Sequence, residues 1–215
     1  MRRLLTFGAL VFAASVGTAQ ATTITFEDHA VPSGTQTTCF SGIGCDLTSG
    51  GFFFDTLANH YHLANNTNLN GANVDDGSTY FVTDADPSQT TFSQVGDAAF
   101  ALISIDYAEW VGTNSARKIT ATGFRVGGTI VSADLLLDGI FDGQGGAADF
   151  QTFNFDSTWT NLLSVKLVGS NALTGTLNYF AIDNIVVSDA VPEPATLTLV
   201  GFGCAYMIRR RRTRA

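Results

Sequence analysis

The 215 residues include 11 basic and 19 acidic side chains, but seven of the basic ones lie among the first three and last seven positions. Between Thr22 and Ala190 only Arg117, Lys118, Arg125 and Lys166 oppose 18 acids (the 19 of the chain less Glu193), a net of −14. Such a field excludes nucleic acid and anionic membrane as electrostatic partners and leaves divalent cations and neutral or cationic polymers.

Met1–Ala21 has the layout of a secretory signal peptide. Arg2 and Arg3 precede an apolar stretch from Leu4 to Val16, and Ala19-Gln20-Ala21 is a small-x-small cleavage site. Passage through the Sec translocon is the expectation. The stretch from residue 22 to residue 190 is then about the size of one domain with a full core.

Within that stretch the patterning is β throughout. Thr23-Ile-Thr-Phe-Glu27, Phe100 to Asp106, Lys118 to Val126 and Thr129 to Leu137 alternate apolar and polar residues. Phe150 to Phe155, Leu162 to Val168 and Tyr179 to Val187 read as further strands. Gly127-Gly128 marks a tight hairpin between two of them. Asp138-Gly, Asp142-Gly and Gly145-Gly146 mark a longer loop. No apolar period of 3.6 persists for three turns, so no long helix is expected in the module. The class this predicts is all-β, an antiparallel β-sandwich of jelly-roll type.

Two stretches stand apart. Cys39 and Cys45 flank a short Gly-containing loop and, in an exported chain, are expected to form a disulfide that staples a local turn. Leu57 to Ser78 is rich in Asn and Gly with little to bury, and reads as a long loop.

Candidate chemistry is sparse. His60 and His62 share a face if extended, but no cysteine or carboxylate nearby completes a zinc or copper site, and they read as polar loop histidines. Asp75-Asp76-Gly77 and Asp84-Ala-Asp86-Pro87 read as solvated turns. Trp159 is expected in the core. Trp110 is compatible with the core or with sugar stacking, and Tyr61, Tyr80 and Trp110 beside the Asn-rich loop are the candidate ligand-binding aromatics. No Gly-x-Ser-x-Gly elbow, His-Glu-x-x-His or phosphate loop is present, and the reading is non-catalytic.

The last 25 residues have three unlike parts. Pro192-Glu193-Pro194 is a stiff breaker. Residues 195–208 are an uncharged, mostly apolar run, expected as a short transmembrane helix of roughly 20 Å against a hydrocarbon core of about 30 Å. Arg209, Arg210, Arg211 and Arg212, with Arg214, form a cationic end.

This order resembles the PEP-CTERM sorting signal, a tail also catalogued as an ice-binding-protein C-terminal domain. The resemblance covers residues 191–215 and implies a Gram-negative exported protein. An exosortase would recognise it at the inner membrane, cut near Pro192–Pro194 and pass it to the cell surface or extracellular matrix.

A second resemblance concerns Ile24-Thr-Phe-Glu27-Asp28 and Tyr179-Phe-Ala-Ile-Asp183-Asn184-Ile-Val-Val187. They are similar to the first and last strands of carbohydrate-binding jelly rolls. The likeness implies a structural Ca²⁺ held by Glu27 and Asp183, with Asp28 as a third ligand. The chain thus reads as a non-catalytic surface or matrix module with extracellular polysaccharide as its partner. The rivals are a polysaccharide-active hydrolase of the envelope and a purely structural, calcium-stabilised matrix protein.

Overall fold

The computed structural model describes residues 20–39, 46–56, 60–65, 74, 76–83, 88–110, 115–139, 150–171 and 178–189. They fall within the compact unit Gln20–Ala190. The sorting tail, its apolar run and nearly all of the signal peptide lie outside the described residues. Among the described residues no helix is long and apolar enough to cross a membrane.

The elements in order are β1 (Ala21–Ile24), a 3-10 turn (Glu27–His29), β2 (Thr35–Cys39), β3 (Leu47–Ser49), β4 (Phe52–Thr56), β5 (Tyr61–Asn65), β6 (Tyr80–Thr83) and β7 (Gln89–Gln94). There follow β8 (Phe100–Glu109), β9 (Lys118–Arg125), β10 (Ile130–Leu136), β11 (Gln151–Asn154), β12 (Leu162–Ser170) and β13 (Phe180–Asp189). Every pairing between these strands is antiparallel. One layer runs β10-β9-β12-β7-β4-β3 and the other β2-β5-β6-β13-β8-β11, with a single pair, Leu162 with Phe100, joining β12 to β8. The expected antiparallel sandwich is present.

Alternation builds it. On β4, Phe52 and Phe54 turn inward, and on β7 Phe92 does the same. Phe54 lies 5.1 Å from Phe26 and 5.5 Å from Phe92, centroid to centroid, and Phe52 lies 5.0 Å from Phe100. Each such ring contributes about 1.5–3 kcal/mol by leaving water. Trp159 joins this core, 3% exposed, as expected. The Gly127-Gly128 turn between β9 and β10 is also present, both glycines taking positive φ (89° and 82°) that a Cβ would strain.

Two expectations fail. The first strand ends at Ile24 and does not reach Glu27, because Phe26 adopts a left-handed φ of 56° that sends its ring into the core. Glu27 and Asp28 therefore sit on the 3-10 turn. The Asn-rich stretch is not one long loop: β5 crosses it between β2 and β6, burying His62, Leu63 and Ala64. Its five residues are too few, and too polar at both ends, to show a strand period.

A second cluster covers the other face of the β13 layer. Ala64, Val74, Tyr80, Val82, Ala108, Trp110 and Ala181 pack there, with Phe150 and Tyr179 at the margin. Tyr80 and Val82 can point that way because Phe81, between them, faces the main core. Cys39, at the end of β2, is disulfide-bonded. Its expected partner Cys45 lies outside the described residues, so the specific pairing stands as a sequence expectation.

Candidate functional site

Strand β13 changes partner along one edge. Residues 180–182 pair with β6, whereas Ile185 to Ser188 pair with β1. Between them, at Asp183 and Asn184, the register with β8 shifts and Asn184 takes φ 45°. The turn leaving β1 and the turn entering β6 converge on this gap.

Asp183 is fully buried there. The Ser78 hydroxyl lies 2.8 Å from Asp183 Oδ2 and 2.7 Å from Asp76 Oδ1, and the Ser78 amide donates to the same Asp76 oxygen at 2.9 Å. One hydroxyl carries one hydrogen, so it can donate to only one of the two carboxyls at a time. The remaining oxygens, Asp183 Oδ1 and Asp76 Oδ2, are buried and take no hydrogen bond from the protein. Burial, and then the neighbouring Asp76 carboxyl, push the pKa of Asp183 up to about 9, against smaller opposing effects of the Asn184 amide and Ser78.

The expected ligand set assembles only in part. Glu27 joins the same region: its Oε1 accepts the Thr79 amide at 2.5 Å, and the Thr79 hydroxyl accepts the Val31 amide at 3.1 Å. Asp28 does not join it. Its two oxygens accept from the Ser49 hydroxyl (2.6 Å) and the Gly50 amide (3.1 Å), tying the 3-10 turn to the β3–β4 turn. Asp76, which in sequence reads as part of a solvated turn, takes its place beside Asp183. Among the described residues no group of three or more His, Cys, Asp or Glu side chains is arranged to hold a metal. Hard cations bind carboxylate oxygens of this kind, buried and without a protein donor.

The candidate sugar-binding aromatics do not form a platform. Tyr80 is fully buried and donates its hydroxyl to the Val74 carbonyl at 2.7 Å; Trp110 is 4% exposed and meets Tyr80 edge-on at 6.0 Å. Tyr61 packs on the opposite side of the layer, stacked on Phe81 at 5.4 Å. Rings that span two sides of one sheet cannot stack on one sugar, and the register of β5 with β6, which sets Leu63 opposite Phe81 and Ala64 opposite Tyr80, imposes that split.

Two further buried polar groups lie apart from this region. His62 Nδ1 lies 2.6 Å from the Thr38 hydroxyl, and its ring lies 5.3 Å from that of His60. Glu109, buried at the end of β8, accepts the Gly139 amide at 2.5 Å, and burial above all raises its pKa. A cavity of about 90 Å³ between Thr22, Phe52, Gln94 and Val187 falls below the roughly 300 Å³ of small-molecule pockets.

No protein-family model matches the chain, and no curated protein matches it. Solved structures overlap this chain loosely, three of them as follows. The family 32 carbohydrate-binding module of C. perfringens NanJ, in complex with galactose, is 14% identical, with 76% of this chain and 98% of that one covered at a TM-score of 0.35. The CBM32 of AlyQ, in complex with 4,5-unsaturated mannuronic acid, is 14% identical, with 66% and 96% covered at 0.33. A Clostridium thermocellum endo-1,4-beta-D-xylanase complexed with xylohexaose is 9% identical, with 77% and 28% covered at 0.32. Overlaps this loose carry no argument about the ligand of this chain.

Proposed function

We propose that the chain is an exported β-sandwich module, delivered by its C-terminal sorting signal through the inner membrane to the cell surface or matrix, where it serves extracellular polysaccharide without catalysis. One Ca²⁺ held by Asp183 and Asp76, with Glu27 bracing the adjoining turn, would lock its first and last strands. The observation that carries this reading is the meeting of β1, β6 and β13 at Asp183, where buried carboxylate oxygens lack donors. The likeness of the Ile24–Asp28 and Tyr179–Val187 segments to carbohydrate-binding jelly rolls points the same way. A bound cation would neutralise the two facing carboxylates and tie the chain ends together.

Burial of Tyr80 and Trp110 favours one alternative, a calcium-stabilised matrix protein that holds its neighbours without a sugar-stacking groove. A glycan array probed with the chain in millimolar Ca²⁺ and again in EDTA decides between them. Binding to a defined polysaccharide class in Ca²⁺ supports the module reading. Binding to none, with a melting midpoint that still responds to Ca²⁺, supports the structural one.

A further inference from the structure

We infer that strand β10 is a self-pairing edge through which two copies of this chain associate about a two-fold axis. Among the described residues β10 pairs with β9 alone. The backbone of Thr129 and Leu137 is bonded to the β9 side, through Arg125 N to Thr129 O and Leu137 N to Arg117 O, both at 2.9–3.1 Å. Antiparallel ladders alternate, so the odd-numbered residues between them also turn toward β9. The amides and carbonyls of Ile130, Ser132, Asp134 and Leu136 therefore face the other edge, where the Leu136 carbonyl takes the Tyr107 hydroxyl at 2.9 Å.

That edge is complementary to itself. Antiparallel pairing centred on Ala133 sets Ile130 opposite the partner's Leu136 and Ser132 opposite the partner's Asp134, with the amides of all four in register and the Leu136 carbonyl, which already holds the Tyr107 hydroxyl, keeping one further lone pair. Ile130 and Leu136 are 63% and 66% exposed, the two most exposed large apolar side chains among the described residues. Each would be covered by the other. Proteins usually guard long edges with charge, proline or a bulge. Here the single charge of the strand, Asp134, is already matched by Lys118 at 3.1 Å and by the Thr120 hydroxyl at 2.8 Å. Pairing thus brings no unmatched like charges together. One strand pair covers less area than the roughly 1,200 Å² of lasting interfaces, so the dimer is weak and depends on concentration.

Sedimentation equilibrium of the full chain, from micromolar to near-millimolar protein, tests this with two substitutions at an exposed position. Ser132→Asp sets a carboxylate opposite the partner's Asp134 and is expected to raise the dimer Kd about tenfold. Ser132→Lys sets an ammonium there and is expected to lower it, while circular dichroism shows both variants folded. A chain that stays monomeric at every concentration overturns the inference. So does association indifferent to the sign of charge at position 132, which would assign it to another face or to the apolar tail.

Discussion

Asp76 and Asp183 flank a single hydroxyl, Ser78 Oγ, at 2.7 and 2.8 Å, and each keeps a buried oxygen that accepts no hydrogen bond from the protein. Burial and the neighbouring Asp76 carboxyl both oppose the charged form of Asp183, and a proton on it or a cation beside the pair relieves them.

Asp183→Asn is expected to separate the cation's effect from the fold. In EDTA near pH 8 the amide replaces a buried carboxyl that must keep a proton its unfolded counterpart has released, and it can likewise donate to Asp76, so the variant should be more stable than the parent by about 2 kcal/mol. Added Ca²⁺ should raise the melting midpoint of the parent in proportion to concentration over Kd and leave the variant unmoved. A parent indifferent to Ca²⁺ would remove the cation from the reading.

The pH dependence has a definite sign. Asp183 has a folded pKa of about 9, above the unfolded carboxylate value near about 4. Between those values the folded chain keeps a proton that the unfolded chain has released. The associated stability is fully present below pH about 4 and is lost as pH rises toward about 9. In EDTA the midpoint should therefore fall from acid to alkaline pH. Asp183→Asn should flatten the slope, except for the share of the same sign from Glu109, whose pKa is also raised. A midpoint that rises over this range would contradict a protonated Asp183.

Ca²⁺ and the proton should compete. Isothermal titration at several pH values is expected to show proton release on binding and an affinity that climbs as the pH approaches about 9. An affinity independent of pH would place the cation away from Asp183.

Trp110→Ala should act on stability, not selectively on ligand capture. The ring is 4% exposed in the cluster with Tyr80 and Ala181, so its loss should cost about 3–5 kcal/mol in chemical denaturation. A well-folded variant that had lost only glycan binding would return Trp110 to the ligand site.

Two core glycines should differ in cost. A Cβ at Gly169 would overlap the Asn178 carbonyl, which is backbone, whereas one at Gly123 would meet the ends of the Leu162, Val131 and Trp159 side chains. Gly169→Ala is expected to destabilise by about 3 kcal/mol and Gly123→Ala by less, since side chains can rotate away. Equal melting shifts would show that the β13 side of β12 yields as easily as its side chains.

The alternation of apolar residues from Phe100 to Val187, and the Gly127-Gly128 turn, were enough by themselves to determine an antiparallel all-β module, because a strand's period is local. The split between Phe81 and Tyr80 follows the same period, but which side is core depends on what covers each face. Only the tertiary structure decided that Tyr80 and Trp110 are buried. Asp183 entered as a candidate ligand through the resemblance of Tyr179–Val187 to the last strand of carbohydrate-binding jelly rolls. Asp76 did not, because an Asp-Asp-Gly turn looks solvated until the exchange of β6 for β1 along β13 draws it against a buried carboxylate. Asp28 misled for the converse reason: a neighbour in sequence to Glu27, it is turned by the left-handed Phe26 toward Ser49 and Gly50. Local pattern determines which residues can face inward, and long-range pairing determines which of them meet.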